Sequence, residues 1–370
     1  MKIDIAWNMD YLKKAISLLI AVLLSFGAVL SGGSADVLPA GAESAALTQT
    51  QVVLSEKMFD PQTQQFDKAA AKAFLAPGLA EGFVPQGIAY SAEQQVYLIS
   101  GYFDTLPSMI AVLDKAGTLL HAVTVLTENG TPAKGHFGGI AVFRDYVYLA
   151  NTSGLLVLSL RELLEAEDGG SVAVKASFAT YLPATSGAEV ANGMLWLTEF
   201  TENAGSVLKD KEPAYQSLLG DRYYARADGY ALNESAPFGL SAAKVQPDVI
   251  APTMSLAIPQ EVQGMTVLPD GKLVFSCSYG RKNDSYLMLV RDVTEKTAAT
   301  KITCGDKQVP LYLCSRADRI STFTAPPMMQ ELTIGADGAL YILAESGAAK
   351  YRCDGGYQPT DYVLRMTLGA

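Results

Sequence analysis

The chain has 370 residues, 49% of them hydrophobic, with a formal net charge of −10 and a pI of about 4.8. It contains no Lys/Arg-rich block, which argues against nucleic acid as a partner, because such binding rests on neutralising phosphates. The balance suits a protein that takes a neutral or cationic ligand, or a metal.

At the N-terminus Lys13 and Lys14 precede an uncharged apolar run, residues 15–30, and small residues follow at 31–35, then VLPAGA at 37–42. A basic segment, an apolar segment and small residues beyond it describe a secretory signal. The run is shorter than the ~20 residues of a membrane span. Cleavage near Ala35 or Ala42 is therefore expected, with an uncleaved anchor that leaves the lysines in the cytoplasm as the alternative. No cysteine follows the run, which speaks against a lipid-modified terminus. Residues 1–42 are thus read as signal or anchor with a linker, and residues 43–370 as one secreted or extracytoplasmic domain, monomeric and touching a membrane only through that anchor.

Further along, residues 47–54 suit a strand and residues 61–74, with QQFDKAAAKAF, suit a short helix. A repeating unit then begins. Its first copy is FVPQGIAY (83–90), QVYLISGYFD (95–104), SMIAVLD (108–114) and TLLHAVTVL (118–126). The second is HFGGIAVF (136–143), YVYLANT (146–152), GLLVLSL (154–160) and, after RELLEAEDGG, a fourth strand within 172–182. The third is SGAEVAN (186–192), GMLWLTEF (193–200) and, beyond an interruption, 223–232. The fourth is VQGMTVL (262–268), a Pro269-Asp270-Gly271 turn, KLVFSCS (272–278) and SYLMLV (285–290). The fifth spans 328–352 and ends with 361–368. Alternating apolar runs separated by Gly, Asp and Asn turns are strand signals.

Anchored on Gln86-Gly87, Gly138-Gly139, Ser186-Gly187, Gln263-Gly264 and Gln330-Glu331, the units recur at intervals of 52, 48, 77 and 67 residues. Four-stranded units at such spacing predict an all-β fold, a five- or six-bladed β-propeller, in preference to a sandwich or jelly roll, which require no self-similar units. The long intervals hold insertions or a sixth blade. Residues 240–259 are able to supply the last strand of a blade, and 47–54 to close the ring. The insertion 202–226 is either a lid or a surface excursion.

The tandem pattern of apolar-Gln-Gly-apolar, turn, Val-Tyr-Leu, loop and an apolar strand ending in Asp resembles secreted bacterial propellers of the gluconolactonase and strictosidine-synthase-like superfamily. It is also similar to NHL-type and YVTN-type propellers. The resemblance covers about residues 83–368. It implies, for lactonase and phosphotriesterase-like members, a calcium ion in the central channel held by Glu, Asn and Asp.

In a propeller, the turns leading into the inner strands and the loops between second and third strands open on one face. The first set offers Gln86, His136, Ser186, Glu189, Gln263, Gln330 and Glu331, and the second Tyr102, Asp104, Asn151, Glu199, Tyr279, Arg281, Asp284, Glu345 and Lys350. A polar set bordering an apolar array is the composition of a recognition face. Ligand contact is expected from Gln86, Tyr102, Asp104, His136, Glu189, Gln263, Tyr279, Arg281, Gln330 and Lys350. Calcium, which takes six to eight oxygens, would draw on Asn151, Glu199, Glu331 and Glu345. The competing reading is that these groups bind water and cap strand ends. His136 is the candidate general base, or a loop residue with a satisfied hydrogen bond. Arg281 and Lys350 suit a carboxylate or phosphate, and Tyr102 and Tyr279 an aromatic rim. There is no GxSxG elbow for a serine hydrolase.

No CxxC occurs and only His121 and His136 are present, so a Cys/His zinc site lacks support. Of the three pairings open to Cys277, Cys304, Cys314 and Cys353, a 304–314 staple is expected first. Two functions follow. One is a binding or scaffolding module using the channel face for a small molecule, glycan or protein. The other is a calcium-dependent lactonase or esterase-like hydrolase.

Overall fold

The computed structural model describes residues 45–53, 61–152, 154–202, 213, 215–217, 220–241, 244–246, 249–352 and 359–368. The chain divides into two units, Met1–Ala42 and Glu43–Ala370. The expected signal or anchor falls in the first and lies outside the described residues, as does Cys353.

The second unit is a five-bladed β-propeller. The first blade is Val84–Ser91, Val96–Tyr102, Met109–Asp114 and Leu119–Leu126, from the axis outward. The second is Gly139–Phe143, Tyr146–Asn151, Gly154–Ser159 and Ala176–Ala179. The third is Thr185–Ala191, Met194–Glu199, Ala225–Ala231 and Met254–Ile258. The fourth is Val262–Val267, Leu273–Cys277, Ser285–Val290 and Arg319–Ala325. In the fifth, Met329–Ile334, Leu340–Ala344 and Tyr362–Met366 are completed by Ala70–Leu75 from the other end of the chain, antiparallel to Tyr362–Met366.

That closure corrects two expectations. The alanine-rich stretch is helical only over Gln64–Ala69 and then becomes the closing strand. Residues 47–53 form no strand; Gln49 instead donates to the carbonyls of Leu75 and Gly117 at 2.7 Å, bracing the closure from outside. The long intervals hold insertions, and no sixth blade occurs among the described residues. The expected strand within 172–182 is two pieces: Ser171–Ala173 extends the first blade, and Ala176–Ala179 is the fourth strand of the second, with Val249–Ile250 and then Lys244–Gln246 paired beyond it. A hairpin, Thr300–Cys304 with Lys307–Leu313, extends the third blade in parallel. Such additions cover outer edges that would otherwise present unpaired backbone groups.

Both faces of each blade are apolar because both meet a neighbouring blade. Five buried clusters fill the five seams. Tyr97, Tyr341 and Phe74 interlock at the closing seam, ring centroids 5.1–6.1 Å apart. Cys277, Cys304 and Cys314 are buried free thiols, so the expected 304–314 staple does not form. The hairpin register explains this: Cys304 faces Lys307 at the turn, while Cys314 lies beyond the far end.

Candidate functional site: the channel mouth

A single backbone irregularity builds the mouth. The inner strands of the first, third, fourth and fifth blades each break register at the anchoring pairs, between Pro85 and Gly87, Thr185 and Gly187, Val262 and Gly264, and Met329 and Leu332. A bulge of this kind re-aims a side chain. Gln86, Ser186, Gln263, Gln330 and Glu331 are the residues skipped.

Glu345, at the end of the fifth blade's second strand, is the floor of the site. Its Oε2 accepts from Gln86 Nε2 at 2.6 Å, and the Gln330 side chain hydrogen-bonds it as well. Burial raises its pKa to about 7, against the opposing pull of Gln86 and the positive charges of Lys350 and Arg281. A carboxyl held there gains and releases a proton near neutral pH, as general acid–base chemistry requires.

The wall is aromatic. Lys350 Nζ donates to Tyr102 Oη at 2.7 Å and to Asp104 Oδ1 at 2.8 Å, and lies 4.4 Å from the Tyr102 ring centroid. The Tyr102 and Tyr351 hydroxyls are 3.3 Å apart, and Arg281 sits 5.0 Å from the Tyr351 ring. His136 packs against Tyr102 with centroids 4.2 Å apart. Desolvation of its ring and the Lys350 charge lower its pKa, favouring the neutral imidazole at pH 7. Residues far apart in sequence thus form one connected cluster from the first, second, fourth and fifth blades.

Of the expected ligand-contact set, Gln86, Tyr102, Asp104, His136, Arg281, Gln330 and Lys350 meet here. The others do not join the cluster's bonds. Gln263 turns its amide to the Ser278 carbonyl at 3.1 Å. Tyr279 is exposed, 6.3 Å from Phe200 and bonded to Glu202, so it does not repeat the role of Tyr102. Glu189 lies further along its inner strand, accepting from Thr266 Oγ1 at 2.9 Å, with burial raising its pKa to about 8. Tyr351, which sequence reasoning passed over, stands next to Lys350 in a short helix, Ala349–Arg352, that no repeat position announced.

The four expected calcium ligands are dispersed. Glu331 is wholly buried on the axis, where it accepts three backbone N–H groups. Burial pushes its pKa well above the usual range while these amides pull it back. Glu199 is buried, accepts from Thr201 Oγ1 at 3.1 Å and contributes to the field around Arg226 and Asp228. Asn151 lines a separate groove of about 510 Å³ with Leu155, Phe178 and Phe238. Only Glu345 is at the mouth. Among the described residues no three His, Cys, Asp or Glu side chains converge as a metal site. The insertion 202–226, expected as either a lid or a surface excursion, contains a small hairpin, Tyr215–Gln216 with Arg222–Tyr223, and residues 203–212 lie outside the described residues.

The fold and mouth define a five-bladed propeller with a polar, aromatic-walled channel face. No protein-family model and no curated protein sequence matches the chain. Among solved structures, a putative oxidoreductase (glucose dehydrogenase) from Thermus thermophilus aligns at 14% identity and a TM-score of 0.37, covering 80% of this chain and 99% of its own. The PQQ-bound aldose sugar dehydrogenase of Streptomyces coelicolor aligns at 14% identity and 0.38, covering 75% and 78%. A protein of unknown function from Bacteroides caccae aligns at 6% and 0.33, covering 67% and 64%. Similarity this distant assigns the chain neither an activity nor a cofactor.

Proposed function

We propose that this protein is an exported binding protein whose channel mouth holds a small hydroxylated molecule or the end of a glycan. The observation that carries the reading is the cluster itself. Glu345, Gln86 and Gln330 gather planar polar groups suited to neighbouring hydroxyls, beside the aromatic rings of Tyr102, Tyr351 and His136. The calcium-lactonase alternative is less well supported. It needs several oxygens aimed at one point, whereas Glu331 gives both of its oxygens to backbone amides and Glu345 faces the amides of two glutamines.

The test is titration calorimetry against a panel of mono- and oligosaccharides and polyols. Glu345→Ala and Lys350→Ala are expected to weaken the best ligand at least ~10-fold, a loss of one charge-assisted contact each. Tyr286→Ala, on an exposed part of the fourth blade, is expected to change nothing. Undiminished binding in both mouth variants would refute the assignment. Export rests on the basic pair and apolar run at the N-terminus. Sequencing the mature protein should find a start after Ala35 or Ala42, and an intact Met1 in the cytoplasmic fraction would count against export.

A further inference from the structure

The anchoring pairs that mark the repeat also mark where neighbouring inner strands pack closely. Four inner strands carry glycine there, and each glycine packs against the next blade. A Cβ on Gly87 would meet Ile140 N at 3.0 Å, one on Gly139 would meet Ala188 N at 2.1 Å, and one on Gly187 would meet Gly264 Cα at 3.1 Å. The fifth blade breaks the pattern by placing Glu331 at the equivalent position. A Cβ on Gly264 would meet Glu331 Oε1 at 2.5 Å, so glycine is what gives that carboxylate its room.

The Glu331 side chain, with no exposed surface, crosses toward other blades. Its Oε2 accepts from Ala188 N of the third blade at 3.0 Å. Its Oε1 accepts from Met265 N of the fourth at 3.3 Å and, at the longer distance of 3.4 Å, from Leu332 N of its own. Ala188 and Met265 each follow the packing glycine of their strand. Close approach of the inner strands therefore gathers backbone N–H groups around the axis, the arrangement by which main-chain amides bind anions.

We propose that the propeller axis is a carboxyl-binding site made of backbone amides, with the Glu331 side chain as its resident group. Two separated oxygens meet donors from different strands, which suits a planar carboxylate better than a spherical halide. The resident group ties three blades together beneath the mouth. It also fixes the backbone of Gln330, whose side chain bonds Glu345.

The test is chemical rescue. Glu331→Gly completes the glycine ring and leaves the amides to a free anion. Its Tm is expected to fall by more than about 5 °C. Formate or acetate should restore it in a saturable way, since a ligand of the folded state alone stabilises with its concentration. Chloride at equal ionic strength, and the neutral isostere formamide, should not, and wild-type Tm should ignore formate. Equal effects of formate, chloride and formamide on the variant would overturn the proposal. Should Glu331→Gly fold only when refolded with formate present, the proposal also holds. Should it fold under no condition, Glu331→Gln decides: its NH2 group confronts an amide donor, so a lower Tm insensitive to formate is expected. Wild-type stability in that variant would overturn the proposal.

Discussion

Glu345 links the site to pH. Its folded pKa of about 7 lies above the ordinary 4.5 because the carboxyl is desolvated. The folded state therefore holds a proton that the unfolded chain releases, so this residue's contribution to stability is intact below pH 4.5 and fades as pH rises to 7. Glu345→Gln should flatten that fall, gaining on wild type by on the order of 1–3 kcal/mol between pH 4.5 and 7.5, as measured by urea unfolding across the range. A second residue-scale case is Arg226 and Asp228, whose Nε and Oδ1 are 3.1 Å apart inside the third blade. Asp228 also accepts from Ser255 Oγ at 2.6 Å. Arg226→Met would strand the buried carboxyl and should cost about 3–5 kcal/mol, whereas adding Asp228→Leu should recover much of the loss; denaturant midpoints of the single and double variants check this. Sequence placed Gln86, Tyr102, Lys350 and Glu345 on one face because loop order alone decides that. It was unable to show that Glu331 and Glu199 already meet partners of their own, since a carboxylate's needs are filled by backbone that only the fold brings near.

At the scale of the strand, glycine was the legible signal, and its reason is contact between blades. Gly139→Ala would drive a Cβ to 2.1 Å from Ala188 N and 2.3 Å from the Gly187 carbonyl carbon, both backbone atoms with no rotamer to yield. The expected loss is about 3 kcal/mol or more. Gly193→Ala is the matched control: open space surrounds its Cβ, and only its φ of +73° opposes the change, at about 1–2 kcal/mol. Thermal unfolding of the pair separates crowding from backbone strain. Strand edges and turns were readable from alternation wherever Gly, Asp or Asn punctuated the chain. The Ala-rich segment misled for a definite reason: alanine's helix propensity is local, while Ala70–Leu75 is a strand because the fifth blade lacks an outer strand. The cysteine pairing failed similarly, since a ten-residue separation suggests proximity only until a hairpin stretches it out.

For the whole molecule the decisive contact is the one that closes the ring. A propeller missing one outer strand leaves its last blade with an open edge and its first seam half filled. Here the closing strand arrives with a brace. Gln49 Oε1 accepts from Leu119 N at 2.7 Å while its Nε2 bonds Leu75 and Gly117, and Asp361 accepts from Val52 N and Val53 N at 3.0 Å. Phe74 adds its ring to Tyr97 and Tyr341. A chain beginning at residue 43 should therefore unfold cooperatively, whereas one beginning at residue 77 should lose that single transition and bind a dye for exposed apolar surface. Phe74→Ala alone should cost about 3–5 kcal/mol if its cavity cannot collapse. Because the lost segment is contiguous, a peptide of residues 43–76 added to the shortened chain should restore the transition with a concentration-dependent Tm. A shortened chain as stable as the longer one would mean that the seam between the first and fifth blades holds the ring without its outer strand.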